Sequence, residues 1–254
     1  TARSRASCRA APTLAVTLRP LLADARVDEK RPLLSDAVSL RAACSDELDG
    51  VARLQLDVFL PSSPPPAFVP MLSEMMAGNQ RAVRASMRRR LCSDIAVRVA
   101  KGSSILVAAV PADGVARQQV AQSAYAEAVY AEADVRILGT VDISCQEVAL
   151  PTHPLSEGLY LSHMAVDPEF RRHGVGRRLL AAAEAAARAR AAGGGIYLHV
   201  ERTNAGARSL YEQAGYVRLP DTAQHAAFTC ALNVQHRDVL LYHKQLDDPV
   251  WKLE

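Results

Sequence analysis

The stretch His163-Met164-Ala165-Val166-Asp167-Pro168-Glu169-Phe170-Arg171-Arg172-His173-Gly174-Val175-Gly176-Arg177-Arg178-Leu179-Leu180 constrains this chain more than any other. A short apolar strand runs into a Pro turn. A basic loop with two glycines follows, and an Ala-rich helix opens directly out of it. That order builds a cradle for a diphosphate. Glycine leaves the backbone bare, so a ligand can approach it closely. The first N–H groups of a helix have no intrahelical partner, and the helix dipole reinforces their pull on an anion. Arg171, Arg172, Arg177 and Arg178 place positive charge around the cradle. A Gly-rich turn before an Arg-decorated surface helix is the bland alternative. The dinucleotide fingerprint does not fit, because Arg178 and Leu179 stand where its third glycine belongs. The P-loop does not fit either, since its Gly-Lys-Ser/Thr end is missing.

A second block lies about 30 residues further on. Gly195-Ile196-Tyr197-Leu198-His199-Val200 reads as a short buried strand. Glu201-Arg202-Thr203-Asn204 follows, then a helical stretch from Ala205 to Ala214, with Gly215 placed as a helix C′ glycine. Arg171-x-x-Gly174-x-Gly176, preceded by Met164-Ala165-Val166-Asp167-Pro168, resembles the coenzyme A-binding motif of the GCN5-related N-acetyltransferase (GNAT) superfamily. The run Asn204…Ala207…Leu210-Tyr211-Glu212…Ala214-Gly215-Tyr216 is similar to the last motif of that superfamily. The resemblance is tight from about Leu159 to Val217 and looser from Val38 to the end.

The resemblance implies an α/β fold whose twisted, mostly antiparallel sheet is flanked by helices and splayed between its fourth and fifth strands. It implies acetyl-CoA as cosubstrate and direct acetyl transfer to an amine. The Met164-Ala165-Val166 edge would hold the pantetheine arm through its backbone. Arg171, Arg172, His173, Gly174, Val175, Gly176 and Arg177 would surround the diphosphate. Asn204 would bond the pantetheine near the thioester, and Tyr211 would act as general acid at the sulfur. A thiol resembling Cys has a pKa of about 8.5 against about 10 for Tyr, so that transfer is modestly uphill. A core aromatic on a helix is the other reading of Tyr211.

The base is open at this stage. Leu159-Tyr160 and Tyr197-Leu198-His199-Val200 look similar to an N-terminal acetyltransferase whose paired Tyr and His act through a bound water, which nominates Tyr160 and His199. A satisfied half-buried His and a core Tyr remain the alternative. His163, Glu147 and Glu201 are weaker candidates, and His173 reads as a cofactor-loop residue. The demand on a base depends on the acceptor. A Lys amine with a pKa of about 10.4 is neutral only about once in 250 at pH 8, a cost of roughly 3 kcal/mol. An α-amine with a pKa of about 7.8 is already about half neutral there.

Composition bounds the rest. With 254 residues, 49% of them apolar, the chain can bury a full core. A net charge of +3 does not by itself call for nucleic acid. No apolar run reaches the ~18 residues of a membrane helix. Cys8, Cys44, Cys92, Cys145 and Cys230 form no C-x-x-C pair and no metal-ligand spacing with His, so they read as free thiols, Cys145 as a small core residue.

Along the chain, residues 1–36 read as a leader and 37–254 as the catalytic domain. Residues 1–23 hold four Arg, several Ser and Thr, many Ala and no acid, a composition like an organelle transit peptide or a basic tail. Together with the motif blocks, the leader looks most like plastid members of the superfamily, which acetylate protein N-termini and internal lysines. Val38–Arg41 reads as a strand. Leu48, Val51, Leu54, Val58 and Phe59 mark an amphipathic helix. The Pro-rich 61–70 stretch is a loop, and a second helix covers about Met71 to Leu91. Its basic end (Arg81, Arg84, Arg88, Arg89, Arg90) is open to solvent, a peptide, an anionic partner or ribosomal RNA. Strands are expected at Ser104–Val110, Arg136–Val148, Gly158–Val166 and Val239–Tyr242, and a cofactor helix at Val175–Ala192. Residues 111–135 read as an insertion. That insertion and the Pro-rich loop fall near the expected substrate face and depart from the family pattern. Protein or peptide amines are the expected acceptors. A small-molecule amine acetyltransferase, which would need an acidic pocket, and a silent CoA-binding module are the competing readings.

Overall fold

The computed structural model describes residues 38–60, 70–111, 135–146, 158–190, 195–221 and 238–246. The chain divides into Thr1–Pro32 and Leu33–Glu254, and every described residue belongs to the second unit. The expected leader, the Pro-rich stretch at 61–69, the insertion at 112–134 and the loop at 151–157 lie outside the described residues.

The elements run β1 (Ser39–Ala42), a 3-10 turn (Ser45–Glu47), α1 (Leu48–Phe59), α2 (Pro70–Ala100), β2 (Ser104–Pro111), β3 (Val135–Gln146) and β4 (Gly158–Val166). A second 3-10 turn (Pro168–Phe170) precedes α3 (Val175–Arg190), β5 (Gly195–Glu201), α4 (Ala205–Gln213), β6 (Val217–Arg218) and β7 (Val239–Gln245). The seven strands form one sheet in the order β1-β2-β3-β4-β5-β7-β6. Every pairing is antiparallel except the parallel β4–β5 pair. This is the mixed, mostly antiparallel α/β sheet that the motifs implied.

Helices cover both faces, and β2 shows why. Its run Ile105-Leu-Val-Ala-Ala-Val110 is apolar at every position and buried throughout. Ile105, Val107 and Ala109 join Val51 and Ala52 of α1 and Ile95 of α2. Leu106, Ala108 and Val110 join Leu179, Leu180, Ala183 and Ala187 of α3 on the other face. Gly139 of β3 lets α3 sit close. A Cβ there would stand 2.7 Å from Leu179 Cδ1 and 3.1 Å from the Ala165 carbonyl oxygen.

Four differences from the sequence reading concern the elements and their ends. Helix α2 continues nine residues past Leu91, to Ala100. The short strand β6 was not expected, and β7 runs three residues past Tyr242. Pro111 and Val135, expected inside the insertion, are strand residues of β2 and β3.

Two irregularities position the site. The β4–β5 register holds only for Leu159↔Ile196, Tyr160↔Tyr197 and Leu161↔Leu198. Beyond Leu161, β4 leaves β5 and runs on beside β3 alone, so the sheet opens as a wedge. Along the β3 side, Asp142 pairs with Ser162 and Thr140 with Ala165, which places one extra residue on β4. That β-bulge holds His163 in the left-handed region at φ 50°.

Candidate active site

The loop between β4 and α3 is braced from below. Asp167 accepts from the Glu169 N–H through its carboxylate and caps the 3-10 turn. Arg136 of β3 bonds Asp167 at 2.7 Å and Glu169 at 3.1 Å, and its guanidinium lies 4.5 Å over the Phe170 ring. Sequence reading gave Arg136 no role. From this footing the chain turns through Arg172 (φ 67°) and Gly174 (φ 78°) into the first turn of α3. Left-handed φ costs a Cβ-bearing residue roughly 1–2 kcal/mol, so glycine at 174 eases a turn that Arg172 strains.

The leading N–H groups of α3 have no intrahelical partner. Gly176 lies in that first turn, where a Cβ would meet Leu210, Met164 and Val166 at 3.4–3.7 Å. Arg171 and Arg172 are exposed and His173 half-buried. The Arg171 Nε donates to the Val166 carbonyl at 3.2 Å, and His173 Nδ1 sits 2.9 Å from the Arg171 carbonyl. Arg177 reaches Gln213 of α4 at 3.4 Å. Arg178 does not join the cradle. It donates to the Val38 carbonyl at 3.1 Å and ties α3 to the start of β1. A side chain at the fourth helical position points a full turn away from the N–H groups, which corrects the expectation that it adds charge there.

Across the wedge stands α4. Asn204 is its N-cap: its side chain accepts from the Ala207 N–H at 3.1 Å. The residue expected to bond pantetheine therefore also holds the start of α4. Tyr211 is buried, and its O–H donates to Met164 Sδ at 3.5 Å, which sets it beside the bulge of β4. Burial pushes its pKa well above the usual tyrosine value, so the hydroxyl keeps its proton. The helix ends in a Schellman cap: Gly215 has φ 87°, and the Tyr216 N–H bonds the Tyr211 carbonyl. The two tyrosine rings pack 5.8 Å apart.

On the opposite side of the sheet from α3, the Tyr160 hydroxyl and His199 Nδ1 are hydrogen-bonded at 2.9 Å. Sequence similarity nominated these two together, and the parallel β4–β5 register brings them into contact at the apex of the wedge. Burial pushes Tyr160 up to about 12 and His199 down to about 4. Both are neutral at physiological pH. Glu201, a weaker candidate, is exposed at the end of β5, and Glu147 lies outside the described residues.

One group on this side was missed entirely. Asp142 of β3 is 1% exposed and meets Arg98 of α2 at 2.9 Å and His163 at 3.3 Å. The signal was present as two polar residues, Thr140 and Asp142, alternating with Val141 and Ile143 in a strand otherwise read as apolar.

Residues 110–216 match the model of the acetyltransferase (GNAT) family. The matched stretch includes β4, α3, β5 and α4, which carry the cradle, Asn204 and Tyr211. The activity of that family is acetyl-CoA-dependent N-acetyl transfer, with acetyl-CoA as cosubstrate. No curated protein sequence matches the chain. Among solved structures, a GNAT-family acetyltransferase from Staphylococcus aureus Mu50 is 13% identical over 83% of this chain and 100% of its own, with a TM-score of 0.47. The PaiA N-acetyltransferase from Thermoplasma acidophilum, solved with coenzyme A, is 13% identical over 82% and 98%, with a TM-score of 0.47. A phosphinothricin acetyltransferase from Sinorhizobium meliloti, solved with acetyl-CoA, is 13% identical over 85% and 95%, with a TM-score of 0.46.

The residues present suit acetyl-CoA. The α3 N-terminus and Arg171–Arg172 match a diphosphate in charge and in donor character. Gly176 brings the bare backbone of α3 up to Met164 and Val166, the strand edge expected to hold the pantetheine arm. Among the described residues no group of His, Cys, Asp or Glu could hold a metal, and no helix is long and apolar enough to cross a membrane.

Proposed function

We propose that this acetyltransferase acts on protein amines, at N-terminal α-amines and at Lys ε-amines. The observation that carries the reading is the Tyr160–His199 pair, joined at 2.9 Å at the apex of the wedge. It faces the side of the sheet opposite the α3 core. A neutral hydroxyl–imidazole pair orients an incoming amine N–H or a bridging water by hydrogen bonding, without fixing a counter-charge. That suits an amine carried on a peptide. A free polyamine needs carboxylates to hold its other charges. On this side of the sheet Asp142 is neutralised by Arg98, Asp57 is paired with Arg84, and Asp49 with Arg88.

The chain's own groups divide the work. The first turn of α3, with Arg171, Arg172 and His173, binds the diphosphate. The β4 edge from Met164 to Val166, together with Asn204, aligns the thioester arm. Tyr211 gives the departing sulfur a proton from its hydroxyl as the C–S bond breaks. The acid-free, Arg- and Ser-rich residues 1–23 support a plastid address, where the substrates would be organellar proteins.

Incubation with acetyl-CoA and a peptide library, read by mass spectrometry, tests the substrate class. Acetyl groups on peptide α- or ε-amines are expected. Transfer confined to free polyamines would refute the protein-amine reading.

A further inference from the structure

Resting on that reading, we propose that the group receiving the amine's proton is His163 at the β4 bulge, held in place by the buried carboxylate of Asp142. The bulge puts an imidazole where a regular strand would not. His163 takes φ 50°, a conformation that His and Asn tolerate better than most residues. It stands next to Met164, whose sulfur accepts from the Tyr211 hydroxyl. The expected proton donor and this imidazole therefore flank one point of β4.

The surroundings prepare His163 for the task. Its Nδ1 lies 3.3 Å from Asp142 Oδ2 and 3.0 Å from Ser162 Oγ. An anionic oxygen there favours the hydrogen on Nδ1 and leaves the lone pair on Nε2. Arg98 donates to Asp142 Oδ2 through Nε at 3.1 Å, and its Nη2 lies 2.9 Å from the same oxygen. The other oxygen of Asp142, Oδ1, is buried without a hydrogen-bond partner, so the carboxylate is not saturated by Arg98. The His163 side chain is 38% exposed, which gives a received proton a path to solvent.

His199 is the contrasting histidine. Half-buried beside Tyr160, it resists protonation down to about pH 4 and orients rather than accepts. Among the described residues, these charged and titratable groups come from the neighbouring elements. β3 brings Asp142, α2 brings Arg98, β5 brings His199 beside Tyr160, and the acids Asp49 and Asp57 of α1 are engaged by Arg88 and Arg84. Arg53 of α1 is half-buried.

The step balances. The C–N bond forms as the C–S bond breaks, one amine proton passes to His163 Nε2, and the sulfur takes the Tyr211 proton. His163 then releases its proton to solvent, and Tyr211 recovers one.

The test is the pH dependence of kcat at saturating acetyl-CoA and peptide, for wild type, His163→Asn and Asp142→Asn. Asparagine accepts the left-handed backbone, so His163→Asn preserves the bulge. In the wild type, kcat should fall with unit slope on the acid side as the base takes up a proton. His163→Asn should lose that limb and about 100-fold in kcat, with KM for acetyl-CoA unchanged. Asp142→Asn should shift the limb to lower pH. His163→Asn retaining both rate and limb would overturn the assignment while leaving the protein-amine reading standing. Loss of CoA binding in both variants would make the cluster merely structural and overturn it as well. A wild type that transfers nothing to peptides would remove the reading and this assignment together.

Discussion

Single residues in this protein take their roles from their surroundings. Tyr160 and His199 are an ordinary Tyr and His in sequence, yet burial drives their proton affinities in opposite directions, to about 12 and about 4. For His199 this has a consequence for stability. An unfolded His titrates near 6.5, whereas the folded one resists protonation down to about 4. Between those values the unfolded chain binds a proton that the folded chain refuses, so stability falls as pH drops from about 6.5 towards 4. Urea midpoints measured from pH 7 to 4.5 should therefore fall less steeply in His199→Gln than in wild type. Tyr211 makes the sharper catalytic prediction. Tyr211→Phe should keep the packing against Tyr216 and lower kcat by about 100-fold, with KM for acetyl-CoA nearly constant, as expected for a lost general acid. Stopped-assay kinetics on both substrates would check it, and an unchanged kcat would return Tyr211 to a packing role. The pairing of Tyr160 with His199 was legible in sequence because similarity pointed at both. The Asp142–His163 contact was not legible, since it depends on a one-residue bulge that shifts β4 against β3.

Elements were legible where their pattern was local. The cofactor helix α3 announces itself through Gly174, Gly176 and the Leu179, Leu180, Ala183, Ala187 stripe, all four of which are buried. The C-terminal third of α2 does not. Ile95, Val97 and Val99 alternate as in a strand, yet this stretch is helical, with Ile95 buried and Val97 and Val99 exposed. Tertiary contacts decide it. Ile95 fills the core between α1 and β2, and Arg98 reaches Asp142. Gly102 at φ 95° then closes the helix, with the Ser103 N–H bonding the Arg98 carbonyl. Strand β6 is two residues long and carried no pattern at all. Gly139 supplies the test at this scale. Gly139→Ala forces a methyl group against Leu179 and the Ala165 carbonyl. It should destabilise by about 1–3 kcal/mol. Because the displaced element is the start of α3, it should also raise KM for acetyl-CoA. Thermal melts and KM measured on the same variant separate this from a neutral change, and a normal KM would contradict it.

In the catalytic unit, one opening in the sheet joins two faces that do different work. The α3 side is the cofactor side, where the main core, the cradle and Tyr211 meet. The α1–α2 side carries the Asp142–His163–Arg98 cluster, and Tyr160 and His199 also lie away from the main core. A separate brace holds the cofactor side together. Lys244 of β7 bonds Glu184 of α3 at 2.7 Å and the Ala214 carbonyl at the end of α4 at 2.7 Å. Lys244→Met should leave Glu184, which is 7% exposed, with Arg188 at 3.4 Å as its remaining basic partner, and cost about 1–3 kcal/mol. It should also loosen α4 under Tyr211, which denaturant unfolding and activity measured together would reveal. The mostly antiparallel sheet splayed between β4 and β5 was implied by the family resemblance of two motif blocks, whereas the acceptor side depends on contacts between residues far apart in sequence. The most direct test of the whole account is simultaneous measurement of CoA release and peptide acetylation by the wild-type protein. The account predicts one acetyl group on a peptide α- or ε-amine for each CoA thiol released. Thiol release without peptide acetylation, or acetylation of free polyamines alone, would contradict it.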